Sequence, residues 1–169
     1  MQKLEYLPDN SFTINNQTIV WHTDRSTVRE ALANSHNEDD SISDLSEFFD
    51  GDSSYNIETR RDIYTDFNNS ENYFFFSYDK QDKITEIEIH SGFTISINGI
   101  NITFGEDIAQ VVNRLNTLDD NYLETEEGNY LFPDLKITVA SDESMGGDGT
   151  GFSYFYAAKD ITHLIDSIE

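Results

Sequence analysis

The segment Phe93–Leu115, FTISINGINITFGEDIAQVVNRL, decides how the rest of the chain is read. A two-residue type I′ turn needs positive φ at both central positions, and Asn98-Gly99 supplies the residues that tolerate it. Folding the chain there sets Ile97 opposite Ile100, Ile95 opposite Ile102 and Phe93 opposite Phe104, all on one face. Thr94, Ser96, Asn101 and Thr103 take the other face. The period then changes. Ile108, Val111, Val112 and Leu115 fall at i, i+3, i+4 and i+7, the spacing of an amphipathic helix.

The same pattern stands earlier in the chain. Ser11–Trp21, SFTINNQTIVW, is a hairpin with Asn15-Asn16 at its turn and Phe12, Ile14, Ile19 and Trp21 on one face. Thr23 or Asp24 can cap a following helix whose apolar positions are Val28, Ala31 and Leu32. Laid over the later copy the register holds without a gap: Ile14 falls on Ile97, Asn15 on Asn98, Trp21 on Phe104, Asp24 on Asp107, Val28 on Val111 and Leu32 on Leu115. Arg25 stands where the second copy has Ile108, so the first helix has the narrower apolar face. The pattern predicts an internal repeat, with units at about 10–91 and 92–169 inside one domain of 1–169.

Working outward, Met1–Asp9 reads as a leading segment ended by Pro8. In the long acidic stretch 33–58, Ile42, Leu45, Phe48 and Phe49 have roughly helical spacing, which predicts a short helix lying over the sheet. Arg61–Phe67, Tyr73–Tyr78 and Lys83–His90 form a meander, matched in the second unit by Asn129–Phe132, Leu135–Ala140 and Gly151–Ala158. Aromatics on both faces of Tyr73-Phe74-Phe75-Phe76 predict a central strand covered on both sides. Ile161, Leu164, Ile165 and Ile168 define a closing amphipathic helix. The expected fold is therefore α+β: two tandem β-hairpin–helix–antiparallel-strand units forming antiparallel sheet, with the helices packed on one face.

The charge is extreme. Asp and Glu number 33 against 10 Lys and Arg in 169 residues, a net charge of −23. Such a surface repels phosphate and anionic lipid, so direct nucleic-acid or membrane binding is disfavoured and a basic protein partner is favoured. There is no cysteine, hence no disulfide framework and no thiolate chemistry. MQKLEYLPDN lacks the apolar run of a signal peptide, and no stretch is apolar enough to span a membrane, so a cytoplasmic location is the expectation.

No catalytic residues and no cofactor are expected. His22, His36, His90 and His163 share no ligand spacing and read as surface histidines. Asp50, Asp52, Ser54, Asn56 and Glu58 alternate like a calcium loop, but the glycine is misplaced and no glutamate stands at the twelfth position, so no metal is expected. The glycine-rich Ser141–Gly151 segment lacks the lysine of a phosphate loop and carries Asp142, Glu143 and Asp148; it reads as a hairpin connection. No GxSxG elbow is present and nothing selects a carboxylate pair, so a hydrolase is the lesser reading.

The Ile-Asn-Gly or Ile-Asn-Asn hairpin followed at once by a short helix, present twice, resembles immunity proteins of bacterial polymorphic-toxin and contact-dependent inhibition systems. In outline it is also similar to β-lactamase inhibitory proteins and to the small outer-membrane lipoprotein fold, but those use cysteines that this chain lacks. The resemblance implies a non-enzymatic protein that binds and neutralises a cognate toxin domain, with a basic one such as a nuclease suiting the charge. Two acidic segments are the expected partner surface: Asp39, Asp40, Asp44, Glu47, Asp50 and Asp52 in the first unit, and Asp119, Asp120, Tyr122, Glu124, Glu126 and Glu127 in the second. Aromatics such as Tyr122 within an acidic rim would serve as anchors. A DNA-mimic inhibitor of a nucleic-acid enzyme would use the same acids, spaced like phosphates.

Overall fold

The computed structural model describes residues 1–166. It is predominantly β, with two sheets and three α-helices among the described residues, an α+β arrangement. The smaller sheet has five strands: β1 (Gln2–Leu7), β2 (Ser11–Ile14), β3 (Gln17–Val20), β8 (Phe93–Ile97) and β9 (Ile100–Thr103), in the order β3-β2-β1-β8-β9. The larger has eight: β4 (Asn37–Ser43), β5 (Ile57–Thr65), β6 (Tyr73–Tyr78), β7 (Ile84–Ser91), β10 (Leu123–Glu126), β11 (Asn129–Phe132), β12 (Ile137–Ser141) and β13 (Phe152–Ala158). They run β10-β11-β12-β13-β7-β6-β5-β4, so two consecutive meanders meet along the antiparallel β13–β7 pair.

Both hairpins fold in the expected register. Ile95 pairs with Ile102 and Ile97 with Ile100, while Phe12 pairs with Ile19. Asn15, Asn16, Asn98 and Gly99 all take positive φ, the requirement of the type I′ turn. The leading segment is a strand, which periodicity in six residues did not signal. β1 lies between the hairpins, antiparallel to β2 and parallel to β8.

The sheets pack face to face. Phe12 meets Phe76 at 5.4 Å between ring centroids, Phe93 meets Phe74 at 5.1 Å, and Tyr6 meets Phe155 at 6.1 Å. The Tyr6 hydroxyl crosses the layer to donate to the Leu135 carbonyl at 3.0 Å. One core cluster takes in both sheets together with Val28 of α1 (Arg25–Ala31), Leu32 at its C-cap, and Val111, Val112 and Leu115 of α2 (Ile108–Leu115). α1 follows edge strand β3 and α2 follows edge strand β9, and the core-facing residues of both join the layer on the inner face of the large sheet. α3 (Thr162–Asp166) departs from the one-face expectation: Ile161, Leu164 and Ile165 pack on Leu131, Tyr156 and Ala158 of the opposite face. Ile168, assigned to that helix from sequence, lies outside the described residues.

The junctions after the two hairpins are bonded alike. His22 N–H donates to Ile84 O, Ile84 N–H to Thr23 O and Arg25 N–H to Asp82 O. Gly105 N–H donates to Phe152 O, Phe152 N–H to Glu106 O and Ile108 N–H to Thr150 O. Asp24 and Asp107 make isolated bridges to Lys83 and Gly151 respectively. The caps differ: Asp107 accepts from the Ala109 and Gln110 amides, whereas the Asp24 carboxylate is drawn to Lys83 Nζ at 2.7 Å.

The helix expected at Ile42–Phe49 is corrected: β4 occupies Asn37–Ser43 as an edge strand, followed by 3-10 turns at Ser46–Phe48 and Ser53–Tyr55. Pairing of Ile42 with Glu58 and Ser43 with Ile57 extends the β4–β5 hairpin past α1, and periodicity alone cannot register a strand whose two faces are both wet. β6 is internal and covered on both sides, as expected: Phe74 and Phe76 are buried in the core, and on the other side the Arg61 guanidinium lies 4.7 Å from the Phe75 ring centroid and the His90 ring 5.3 Å.

Candidate functional site

The expected acidic surfaces divide once the side chains are placed. Asp40 is a ligand of a buried ion cluster. Arg25, 5 % exposed, donates from both terminal nitrogens to Asp40 at 2.8 and 2.9 Å, and from Nε and Nη2 to Asp62 Oδ1 at 3.1 and 2.7 Å. Arg29 donates to Asp62 Oδ2 at 2.8 Å and Oδ1 at 2.6 Å, and to Glu38 at 2.7 Å. Asp62 has no exposed surface. Burial pushes its pKa up, but the hydrogen bonds from Arg29 and Arg25 and their charges outweigh burial and hold it below the ordinary carboxylate value. Arg25 also lies 4.9 Å over the Tyr78 ring. Arg61 binds Asp39 and Arg60 binds Asp82 and Glu58. Four of the five arginines in the chain thus sit in one region and neutralise the acids around it. Helical spacing puts Arg25 and Arg29 on one side of α1, yet only pairing with β5 reveals that Asp62 faces them.

Beyond that cluster the acids of the hairpin tip have no arginine or lysine of their own segment to neutralise them. Between Arg29 and Arg60 there is no lysine or arginine. The tip of the β4–β5 hairpin, residues 42–57, carries five large apolar side chains in water: Ile42 69 %, Phe48 80 %, Phe49 43 %, Tyr55 53 % and Ile57 58 % exposed. Phe49 and Tyr55 stack at 4.2 Å and 13°. Asp44, Glu47, Asp50 and Asp52 surround them, all exposed. The loop is fixed by its own polar groups: Asp44 Oδ1 accepts from Ser46 N–H, Asp52 Oδ1 from Ser54 N–H, and Asn56 Oδ1 from Leu45 N–H. Hydrogen bonds from Ser46 to Asp44 and from Ser54 to Asp52 lower both carboxyl pKa values, so these acids stay charged. The result is a preorganised aromatic patch in a ring of charge; among the described residues no group of three His, Asp or Glu is placed to hold a metal.

The second acidic segment turns partly inward. Asp119 is 2 % exposed and ties the chain together, accepting from Asn121 N–H at 3.0 Å and Asp134 N–H at 2.8 Å. Tyr122 stacks on Phe132 at 5.3 Å and belongs to the core margin. Asp119 therefore offers a partner almost no surface, while Tyr122 is half-buried. Asp120, Glu124, Glu126 and Glu127 remain exposed.

The histidine expectation holds for His22 and His163, which are exposed, and fails for His90. His90 is wedged between Phe75 and Tyr154 with Nε2 buried and unpartnered, and burial, then Arg61, lowers its pKa. His36 is half-buried beside Tyr64. The glycine-rich segment is the expected hairpin connection, held by Asp142, which accepts from Gly149 N–H at 3.1 Å. No helix among the described residues is long and apolar enough to cross a membrane.

No family profile, curated protein or solved structure matches this chain.

Proposed function

We propose that this protein is an immunity-type inhibitor that binds and neutralises a basic toxin domain through the tip of the β4–β5 hairpin. One observation carries the reading: five exposed apolar side chains, two of them stacked aromatics, lie in an acidic rim that holds no cation. Exposed aromatics of this kind are anchors for a partner, and the surrounding acids act on encounter rate and orientation. The acids named from sequence in this segment contribute unequally. Asp44, Glu47, Asp50 and Asp52 form the rim, while Asp39 and Asp40 buttress its base through Arg61 and Arg25. A phosphate-like row of acids, as a DNA mimic would need, gains less support, because the neighbouring acids are ion-paired and the centre of the patch is apolar.

The same proposal includes a duplicated construction, with units at about 10–91 and 92–169. Its support is the set of three matched junction hydrogen bonds, offset by a constant number of residues on each side, and the meeting of the two meanders at β7 and β13. Function then sits where the units differ, in the long hairpin tip of the first.

The test is co-expression with the protein encoded beside this one in the source genome. Wild type relieves toxicity, and the Phe48→Ala/Phe49→Ala/Tyr55→Ala variant fails to do so while remaining folded. Full relief by that variant overturns the surface, and absence of any toxicity to relieve overturns the function.

A further inference from the structure

The outer face of the large sheet carries a second feature, at the far end from the hairpin tip and independent of its role. Between α3 and strands β10–β13 lies a pocket of about 600 Å³, within the size of small-molecule sites. Tyr154 and Tyr156 of β13 and Leu131 of β11 form its apolar surface, and Glu86 of β7 and Glu126 of β10 bring carboxylates to it. Among the described residues no lysine or arginine lines it, and His163 is its basic residue. Tyr154 is held by donating its hydroxyl to Glu88 at 2.8 Å.

Tyr156 is 7 % exposed, and its hydroxyl is turned towards the Glu86 carboxylate. The buried Asn129 Oδ1, an acceptor, lacks a donor. Leaving such an atom dry is costly, so an occupant must bring hydrogen. An anion is excluded by Glu86 and Glu126. An alkane-like ligand leaves Asn129 Oδ1 unpaired and covers two carboxylates without compensating their charge. A bare metal ion finds no cluster of three ligands among the described residues. A cationic donor on an apolar stem answers these features: charge for the carboxylates, a hydrogen for Asn129 Oδ1, and a stem and cation against tyrosine rings.

We propose that this pocket binds an organic cation, an alkylammonium or guanidinium head on an apolar stem. The head lies between Glu86 and Glu126 and donates to Asn129 Oδ1, and the stem rests on Tyr156 and Leu131. The source is either a free amine or a basic side chain presented by a protein.

The experiment is NMR titration of the full chain at neutral pH with n-hexylammonium, with n-hexanol as the neutral counterpart and N-acetyl-lysine N-methylamide as the side-chain mimic. Hexylammonium is expected to shift the Tyr154, Tyr156 and Asn129 signals saturably. Hexanol is expected to bind at least about tenfold more weakly, and Glu86→Gln and Glu126→Gln each to weaken hexylammonium by about tenfold. Glu126 is exposed, so its variant tests the site even if Glu86→Gln perturbs the fold. Binding of the lysine mimic as tightly as hexylammonium assigns the site to a protein side chain; its exclusion assigns the site to a free amine. Equal binding of hexanol, indifference to both substitutions, or no shift up to about 50 mM overturns the proposal.

Discussion

Asp62 has no exposed surface in a chain that carries 33 acids, and it persists as a charge because two arginines bind it. Removing one partner of a buried pair leaves the others uncompensated, so Asp62→Asn is expected to cost about 3–5 kcal/mol in urea unfolding at pH 7. The pH dependence has a defined sign. The folded pKa is depressed, so the stabilisation is present above the unfolded value near 4 and is lost as pH falls through the folded value. The gap between wild type and Asp62→Asn therefore closes in acid. Glu88 behaves oppositely. Burial raises its pKa despite the hydrogen bond from Tyr154, so its ionised form opposes folding as pH rises through the folded value. Glu88→Gln keeps an acceptor for Tyr154 and is expected to raise the melting temperature at pH 8 by about 2 °C, with the gain vanishing below pH about 4. From sequence, Arg25 was legible only as a break in the apolar face of α1, because helix periodicity says which residues share a face and nothing about the strand opposite.

At the scale of elements, Gly92 and the β4–β5 tip make contrasting predictions. Gly92 (φ +83°) passes the chain from β7 in one sheet to β8 in the other, and a Cβ there would lie 2.2 Å from the Glu71 carbonyl oxygen and 2.4 Å from Asn72 Cβ. Gly99 has φ +87° with nothing within 4 Å. In thermal or urea unfolding, Gly99→Ala is expected to cost about 1 kcal/mol from backbone strain, and Gly92→Ala about 3 kcal/mol because backbone must also move. The tip behaves differently, since no residue from Asp44 to Asn56 is buried. Ser43 and Ile57 already face each other, so an Asn-Gly turn can join them. That truncation is expected to leave unfolding free energy within about 0.5 kcal/mol and to abolish partner binding in calorimetry. Hairpins and meanders were legible because their signals are local. β1 was not, since its parallel partner β8 lies far along the chain, and a helix was read into the acidic stretch because four apolar residues there share a spacing without sharing a core.

At the scale of the molecule, a net charge of −23 sets two opposite salt responses. Self-repulsion is screened by salt, so the melting temperature of the isolated protein is expected to rise from low salt to about 1 M, where the Debye length is about 3 Å. Association with a basic partner is expected to slow over the same range, seen as a falling on-rate in stopped flow with the off-rate little changed. A partner whose on-rate ignores salt would not be recruited by the acidic rim.

The amino-acid sequence by itself determined the two hairpins, their turns, the helices that follow them and the meander strands, because backbone preference at Asn-Gly or Asn-Asn and short hydrophobic periods are encoded within a dozen neighbouring residues. It also determined that the surface is acidic. Tertiary structure alone decided which acids are surface. Asp62 and Asp119 are buried, Asp39 and Asp40 are paired with arginines brought from α1 and β5, and Asp44, Glu47, Asp50 and Asp52 are left in water around the exposed aromatics. The physical reason is that a carboxylate carries the same charge wherever it falls in the chain. Whether that charge is neutralised, buried or offered to a partner depends on what long-range strand pairing sets within a few ångströms of it.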